Sequence, residues 1–79
     1  MTSLDERTNQ RVYINNALGK NVNGMIGPVT SRMTRCIFAQ AKKGSGYFLV
    51  GETNLNGQLI SDKGADNNAD ARKVLAAIQ

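Results

Sequence analysis

The sequence predicts an α+β fold, in which a small antiparallel meander of three to four strands packs against a C-terminal helix. Two observations lead to this prediction. Runs of β-favouring residues separated by Gly- and Asn-rich turns fill the middle of the chain, as in hairpin-connected strands. The last segment places Ala71, Val74, Leu75 and Ile78 at the spacing of a helix with one apolar face. All 79 residues, 1–79, are expected to form one domain, because the chain is too short for a second core.

The N-terminal segment supports two interpretations. Residues 3–6, Ser-Leu-Asp-Glu, have the form of a capping box, which begins a helix. The favoured prediction is therefore a short helix over residues 4–18, ended by Gly19 in a left-handed conformation. The alternative is a flexible segment 1–9 followed by a strand over 11–15, where three β-favouring residues are adjacent.

The middle of the chain predicts a β-hairpin. Met25 and Ile26 form an apolar pair between turn-forming residues, so we expect them in a loop or a brief edge strand that ends at Gly27-Pro28. A strand-like run follows over 32–39. The apolar run 47–50 predicts a second strand, buried on both faces or nearly so. The Gly-rich turn between these runs joins them into the hairpin.

A second turn and a terminal helix complete the predicted fold. Asn56-Gly57 is a pair that a type I′ hairpin turn prefers, so residues 58–61 are expected to return as a third strand. Residues 65–68 are rich in helix-capping side chains. The amphipathic segment after them is expected to lie across the sheet with its apolar face inward.

The composition argues against catalysis and against a bound metal or cofactor. The chain has no His and one Cys, Cys36, which removes the commonest general base and the usual zinc-ligand sets. The six carboxylates are scattered, and none lies within the kind of apolar run that surrounds a catalytic acid. Cys36 lies beside Ile37 and Phe38 and is expected to be buried packing. We therefore expect a protein that is not an enzyme and holds no cofactor and no metal.

The sequence also predicts a protein that does not enter a membrane. No stretch approaches the ~20 apolar residues of a membrane span, and residues 1–6 lack the order of a signal peptide. Hydrophobic residues make up 41% of the chain and charged residues 20%, which is typical of a globular domain. We expect a cytoplasmic location.

Positive charge is concentrated in the first part of the chain. The net charge is +4, of which residues 1–50 contribute +5 and residues 51–79 contribute −1. Such a division is typical of a basic face for phosphates or for an acidic partner surface. A net charge of this size is also ordinary for a small soluble domain.

The segment from Lys42 to Val50 is the one motif that points to a ligand. It places two lysines and an aromatic pair around a glycine turn, an arrangement that suits phosphates and unpaired bases. It resembles the basic-Gly-x-Gly-aromatic segment of cold-shock domains and the ribonucleoprotein motif of RNA-recognition domains. That resemblance implies binding of single-stranded nucleic acid. The chain lacks the second aromatic-and-His segment of cold-shock domains and the βαββαβ order of RNA-recognition domains. The competing interpretation is structural, with Phe48 and Val50 in the core and the lysines protecting a turn.

Two functions follow from these observations. The first is a non-catalytic protein-interaction or assembly module, an accessory, regulatory or structural subunit, because a small domain without a disulfide gains stability from a protein partner or from homo-oligomerisation. Its interface candidates are Met25, Ile26 and Pro28. The alternative is a module that binds single-stranded RNA or DNA through the basic hairpin. The candidate residues for a partner or a phosphate are Arg32, Arg35, Lys42, Lys43, Gly44, Gly46 and Tyr47.

Overall fold

The computed structural model describes residues 10–40, 46–66 and 68–78. Within them, the chain forms a five-stranded antiparallel sheet with its strands in sequence order, followed by a C-terminal helix. This confirms the α+β meander with a terminal helix, with five strands in place of three to four. The elements are Val12–Ile14 (β1), Asn23–Val29 (β2), Thr34–Gln40 (β3), Tyr47–Asn54 (β4), Leu59–Ser61 (β5) and Ala69–Ile78 (α1), with 3-10 turns at Ala17–Gly19 and Lys63–Ala65.

The favoured prediction of a helix over 4–18 is wrong for the described part of that segment. The chain there forms β1, which pairs with β2 in antiparallel register, so the strand alternative is correct. Three adjacent β-favouring side chains gain cross-strand contacts in this position. Gly19 adopts the left-handed conformation, with φ 71°, but it ends a 3-10 turn. The capping-box residues 3–6 and the segment 1–9 lie outside the described residues.

Strand β2 is longer and more central than the sequence indicated. Met25 and Ile26 lie within a seven-residue strand between β1 and β3, so the prediction of a loop or edge strand is wrong. Gly24 lets α1 approach β2 closely, because a Cβ at Gly24 would lie 2.5 Å from Val74 Cγ1. Pro28 fits in β2 because the register against β3 shifts at this point, and a bulge tolerates a residue without an N–H group.

The turn before β5 differs in type from the prediction. The Gly57 N–H donates to the Asn54 carbonyl at 3.1 Å. The Asn54 Oδ1 accepts the N–H groups of Asn56 and Gln58, each at 2.9 Å. Gly57 is the residue of this turn with positive φ, 82°, whereas a type I′ turn needs positive φ at both central residues. A type I turn followed by a left-handed glycine fits these bonds, and β5 follows as predicted.

Helix α1 covers one face of the sheet. Its predicted apolar stripe is buried, in one core with Ile26, Ile37 and Val50 from three neighbouring strands. Asn68 caps the helix, because its Oδ1 accepts the Ala71 N–H at 3.0 Å. Alternate strand residues point to opposite faces, so the side chains between these core positions point away from α1. We call that side of the sheet the open face.

Candidate interaction surface

Four apolar side chains lie next to one another across the open face. Tyr13 is opposite Met25, Met25 is opposite Phe38, and Phe38 is opposite Leu49. Because neighbouring strands are about 4.8 Å apart, this series spans about 14 Å from β1 to β4. Tyr13 is 58% exposed and Leu49 is 54% exposed, and the two central side chains are half-buried. We call these four residues the apolar row.

The glycines of the sheet establish which way the apolar row points. Gly24 and Gly51 both lie under α1: a Cβ at Gly51 would lie 3.2 Å from Leu75 Cδ2, and one at Gly24 would meet Val74. Met25 follows Gly24 in β2, so its side chain is on the opposite face. The apolar row therefore points away from the helix.

The Phe38 ring approaches the neighbouring strand β2 at Gly27. Its Cε2 atom would be 3.4 Å from a Cβ at Gly27, which is buried although it has no side chain. The Phe38 ring thus packs against the backbone at Gly27. An aromatic ring in this position is a known way to protect a glycine within a sheet. This contact explains why Phe38 is less exposed than either end of the apolar row.

A row of polar side chains flanks the apolar row on one side. Asn23 is opposite Gln40, and the Asn23 Nδ2 donates to the Gln40 Oε1 at 2.9 Å. Tyr47 is opposite Gln40 on β4 and is 38% exposed. The Asn23 Oδ1 also accepts the Asn16 N–H at 3.1 Å, so the amides are paired within the chain, and the Tyr47 hydroxyl is a group that can donate to or accept from a partner.

A second polar row flanks the apolar row on the other side and carries the charges of the open face. Cys36 is half-buried opposite Glu52, so the expectation of a buried Cys is met only in part. The Glu52 Oε2 accepts hydrogen bonds from the Thr34 hydroxyl and from Arg32 Nη2, the latter at 3.1 Å. The Arg32 side chain is 72% exposed and the Glu52 side chain is 20% exposed. A carboxylate already held by two donors is thus fixed in position beside the apolar row.

The structure places two of the predicted site residues inside the protein. Ile26 is 0% exposed and belongs to the core, so it is not available as an interface residue. Arg35 is 1% exposed; its Nε donates to the Gly27 carbonyl at 2.8 Å and its Nη2 donates to the Gln10 carbonyl. Arg35 therefore connects β3 to β2 and to the start of β1, and a phosphate outside the protein would not reach it.

The remaining predicted site residues divide between surface positions and the undescribed part of the chain. Met25 lies in the apolar row and Tyr47 flanks it. Pro28 is exposed at the bulge of β2, and Gly46 is exposed just before β4. Lys42, Lys43 and Gly44 lie outside the described residues.

The sequence analysis did not identify Tyr13, Phe38 or Leu49 as surface residues. The signal that could have found Phe38 is the alternation in β3, where Cys36 and Phe38 alternate with the core residues Ile37 and Ala39. Tyr13 and Leu49 required the strand register, which joins residues far apart in the sequence.

The helix side of the protein carries two concavities. One, of about 330 Å³, is lined by side chains that include Asp62, Asp66 and Arg72. The other, of about 480 Å³, lies between the 3-10 turn Ala17–Gly19 and the end of α1. Among residues 10–40, 46–66 and 68–78, no group of three or more potential metal-binding side chains occurs.

No protein-family model, curated protein or solved structure matches this chain. In the described part of the chain, no helix is both long enough and apolar enough to cross a bilayer.

Proposed function

We propose that this protein is a non-catalytic interaction or assembly module that contacts a protein partner in the cytoplasm through the open face of its sheet. The apolar row is the observation that carries the proposal. An antiparallel sheet with one face toward water normally shows polar side chains on that face. Here the outward side chains at the centre of the sheet are apolar, which is typical of a surface that a partner covers.

The composition of the core supports the need for a partner. Of the 13 buried hydrophobic residues among those described, five are alanines, which contribute little apolar area each. A domain of this size gains only a few kcal/mol from its own core. Burial of a side chain such as Leu49, which is 54% exposed, adds about 1 kcal/mol, because full burial of a leucine is worth roughly 1.5–3 kcal/mol.

A single-stranded nucleic acid is the second candidate partner. The observation that favours it is the position of the aromatic side chains: Tyr13, Phe38 and Tyr47 are all on the open face, and unpaired bases stack on such side chains. Two features weigh against it. Glu52 places a carboxylate on this face, and the aliphatic Met25 and Leu49 occupy half of the apolar row.

A pair of matched variants tests the proposed function. Leu49→Lys adds a charge to the apolar row, and Leu18→Lys makes the same change at a leucine of similar exposure, 58%, on the helix side. Each protein is used for light scattering at high concentration and for affinity capture from cell extract. We expect the wild type and Leu18→Lys to associate with the same protein, either a second copy or another chain, and Leu49→Lys to lose it.

Two results would contradict the proposed function. One is a wild-type chain that stays monomeric at high concentration and captures no protein. The other is a Leu49→Lys variant that associates as strongly as the wild type. Fluorescence anisotropy with single-stranded RNA and DNA at two salt concentrations distinguishes the second candidate. Binding that weakens steeply with salt and is lost in Tyr13→Ala would favour nucleic acid.

A further inference from the structure

We infer that the partner of the open face is a second copy of this chain, related by a two-fold axis that runs parallel to the strands between β2 and β3. The inference rests on the proposed function and names its partner. Such an axis places β4 of one copy over β1 of the other, and β3 over β2. Homodimers of this kind require a self-complementary surface, because each contact occurs twice.

The apolar row is self-complementary about this axis. Tyr13 of one copy lies over Leu49 of the other, and Met25 lies over Phe38. The two most exposed side chains of the row, Tyr13 and Leu49, therefore cover each other at both ends of the interface. At its centre, a methionine thioether meets an aromatic ring, a favourable pairing.

The polar row that contains the amides also matches itself. Because the two-fold axis places β3 of one copy over β2 of the other, Asn23 of each copy faces Gln40 of the other copy. Within one copy, these two side chains already form a hydrogen bond of 2.9 Å. The Asn23 Oδ1 also accepts the Asn16 N–H at 3.1 Å, so this row would meet its copy as a polar surface whose groups are already paired within each chain.

The charged row also brings opposite charges together. Arg11 is exposed and lies two residues before Tyr13, so an extended backbone puts it on the open face at the β1 end of the row that contains Cys36 and Glu52. Glu52 is on β4, the strand that the axis places over β1. Each dimer would therefore contain two contacts between Arg11 and Glu52 of opposite copies. Attraction to Glu52 offsets part of the repulsion between two chains that each carry a net charge of +4.

Several of the other described charges lie away from the contact. Asp62, Lys63 and Asp66 lie in or beside the second 3-10 turn, and Asp70 and Lys73 form a pair on α1 at 3.6 Å. Asp62 and Asp66 line a concavity beside α1, so they and the pair on α1 are on the helix side, away from the open face. Arg32 lies on the open face, where it pairs with Glu52 at 3.1 Å, so each charged contact of the dimer would join two arginines to one carboxylate.

The size of the open face sets the expected strength of the dimer. The protein measures 29 × 21 × 21 Å, so one face offers at most about 600 Å² per copy, or about 1,200 Å² in total, the lower limit for a specific interface. We therefore expect a dimer that dissociates on dilution. The two-fold axis places β5 of one copy beyond β1 of the other copy, so β5 would lie outside the interface.

Sedimentation equilibrium over a wide concentration range tests the inference. The wild type should change from monomer to dimer mass as its concentration rises. Leu49→Lys should raise the dissociation constant roughly tenfold or more, because it buries an unpaired charge. Leu18→Lys should change it less than about twofold, since additions on the helix side touch no dimer contact. Circular dichroism of each variant verifies that it is folded.

A charge-exchange experiment tests the position of the axis. Arg11→Glu alone and Glu52→Lys alone each put like charges opposite each other and should weaken their own dimers. In a one-to-one mixture, both cross-copy contacts become attractive, so the mixture should associate more tightly than either variant. A mixture no tighter than its components would overturn the proposed axis, and so would an Arg11→Glu variant as strong as the wild type.

The outcomes separate this inference from the proposed function. A wild-type chain that stays monomeric at millimolar concentration overturns the second copy as partner. If that chain still captures a protein that Leu49→Lys loses and Leu18→Lys keeps, the proposed function stands with a different partner. If it binds only single-stranded oligonucleotides, both are wrong.

Discussion

Replacement of Gly24 by alanine tests the helix packing that leaves the other sheet face open. A Cβ at this position would lie 2.5 Å from Val74 Cγ1 and 3.1 Å from both Val74 Cγ2 and the Phe38 carbonyl oxygen. Carbon atoms normally approach to about 3.5–4.0 Å, so the contact requires a displacement of about 1 Å. Valine in a helix has one strongly preferred rotamer, which prevents escape by rotation of Val74. Helix α1 must therefore move.

The expected cost follows from that displacement. Overpacking of this kind costs about 1–3 kcal/mol, a large part of the few kcal/mol that the core of a domain of this size supplies. Each kcal/mol lowers the Tm by roughly 4–8 °C. Urea denaturation at one fixed protein concentration measures the loss, because self-association would add to the apparent stability.

Two further variants complete the test. Gly46→Ala is the matched control, since no heavy atom of residues 10–40, 46–66 and 68–78 lies within 4 Å of the added Cβ, and its stability should stay the same or rise by up to about 1 kcal/mol. The double variant Gly24→Ala/Val74→Ala should lose less than the sum of the single losses, by about 0.5–3 kcal/mol. Equal stability of Gly24→Ala and Gly46→Ala, or strict additivity in the double variant, would refute the packing described for α1.

Three more predictions concern side chains with unusual partners, each measured by urea denaturation. Arg35→Met should lower the free energy of unfolding by roughly 2–4 kcal/mol, because two backbone carbonyls lose a buried donor. Arg32→Met, at an exposed ion pair, should lower it by less than about 1 kcal/mol. Equal losses in the two variants would contradict this prediction. Thr53→Val should be neutral or stabilising by up to about 1 kcal/mol, because in the described part of the chain the Thr53 hydroxyl is buried without a hydrogen-bond partner. Thr34→Val should instead lower the free energy of unfolding by about 1 kcal/mol, because the Thr34 hydroxyl makes hydrogen bonds. A Thr53→Val variant less stable than Thr34→Val would be inconsistent with the structure. Asn68→Ala should cost about 1 kcal/mol through loss of the helix cap, and an unchanged midpoint would show that the cap is not needed.

The terminal helix could be predicted from sequence because its signal is local. The spacing of Ala71, Val74, Leu75 and Ile78 is a property of eight consecutive residues, and all four are buried as expected. Strand β1 could not be assigned in the same way. Its three residues gain their stability from pairing with β2, where Tyr13 is opposite Met25, and no local pattern contains that contact.

The candidate surface was predicted only in part for a similar reason. Met25 and Tyr47 were chosen from composition and motif, and both lie on or beside the apolar row. Leu49 was missed because the apolar run 47–50 predicted a strand buried on both faces, whereas the structure leaves Leu49 largely exposed. Arg35 was assigned to phosphate binding because charge usually indicates the surface, but its guanidinium bonds buried backbone. Sequence charge alone does not distinguish these two environments.

An NMR dilution series tests most directly whether two copies of this chain meet through the open face and not through the helix side. Two-dimensional spectra of the wild-type protein recorded from high to low concentration report which residues change environment as the dimer dissociates. We predict shifts at Tyr13, Met25, Phe38 and Leu49, with α1 and Leu18 unchanged. Spectra that do not change with concentration, or changes confined to α1 and Leu18, would contradict the account.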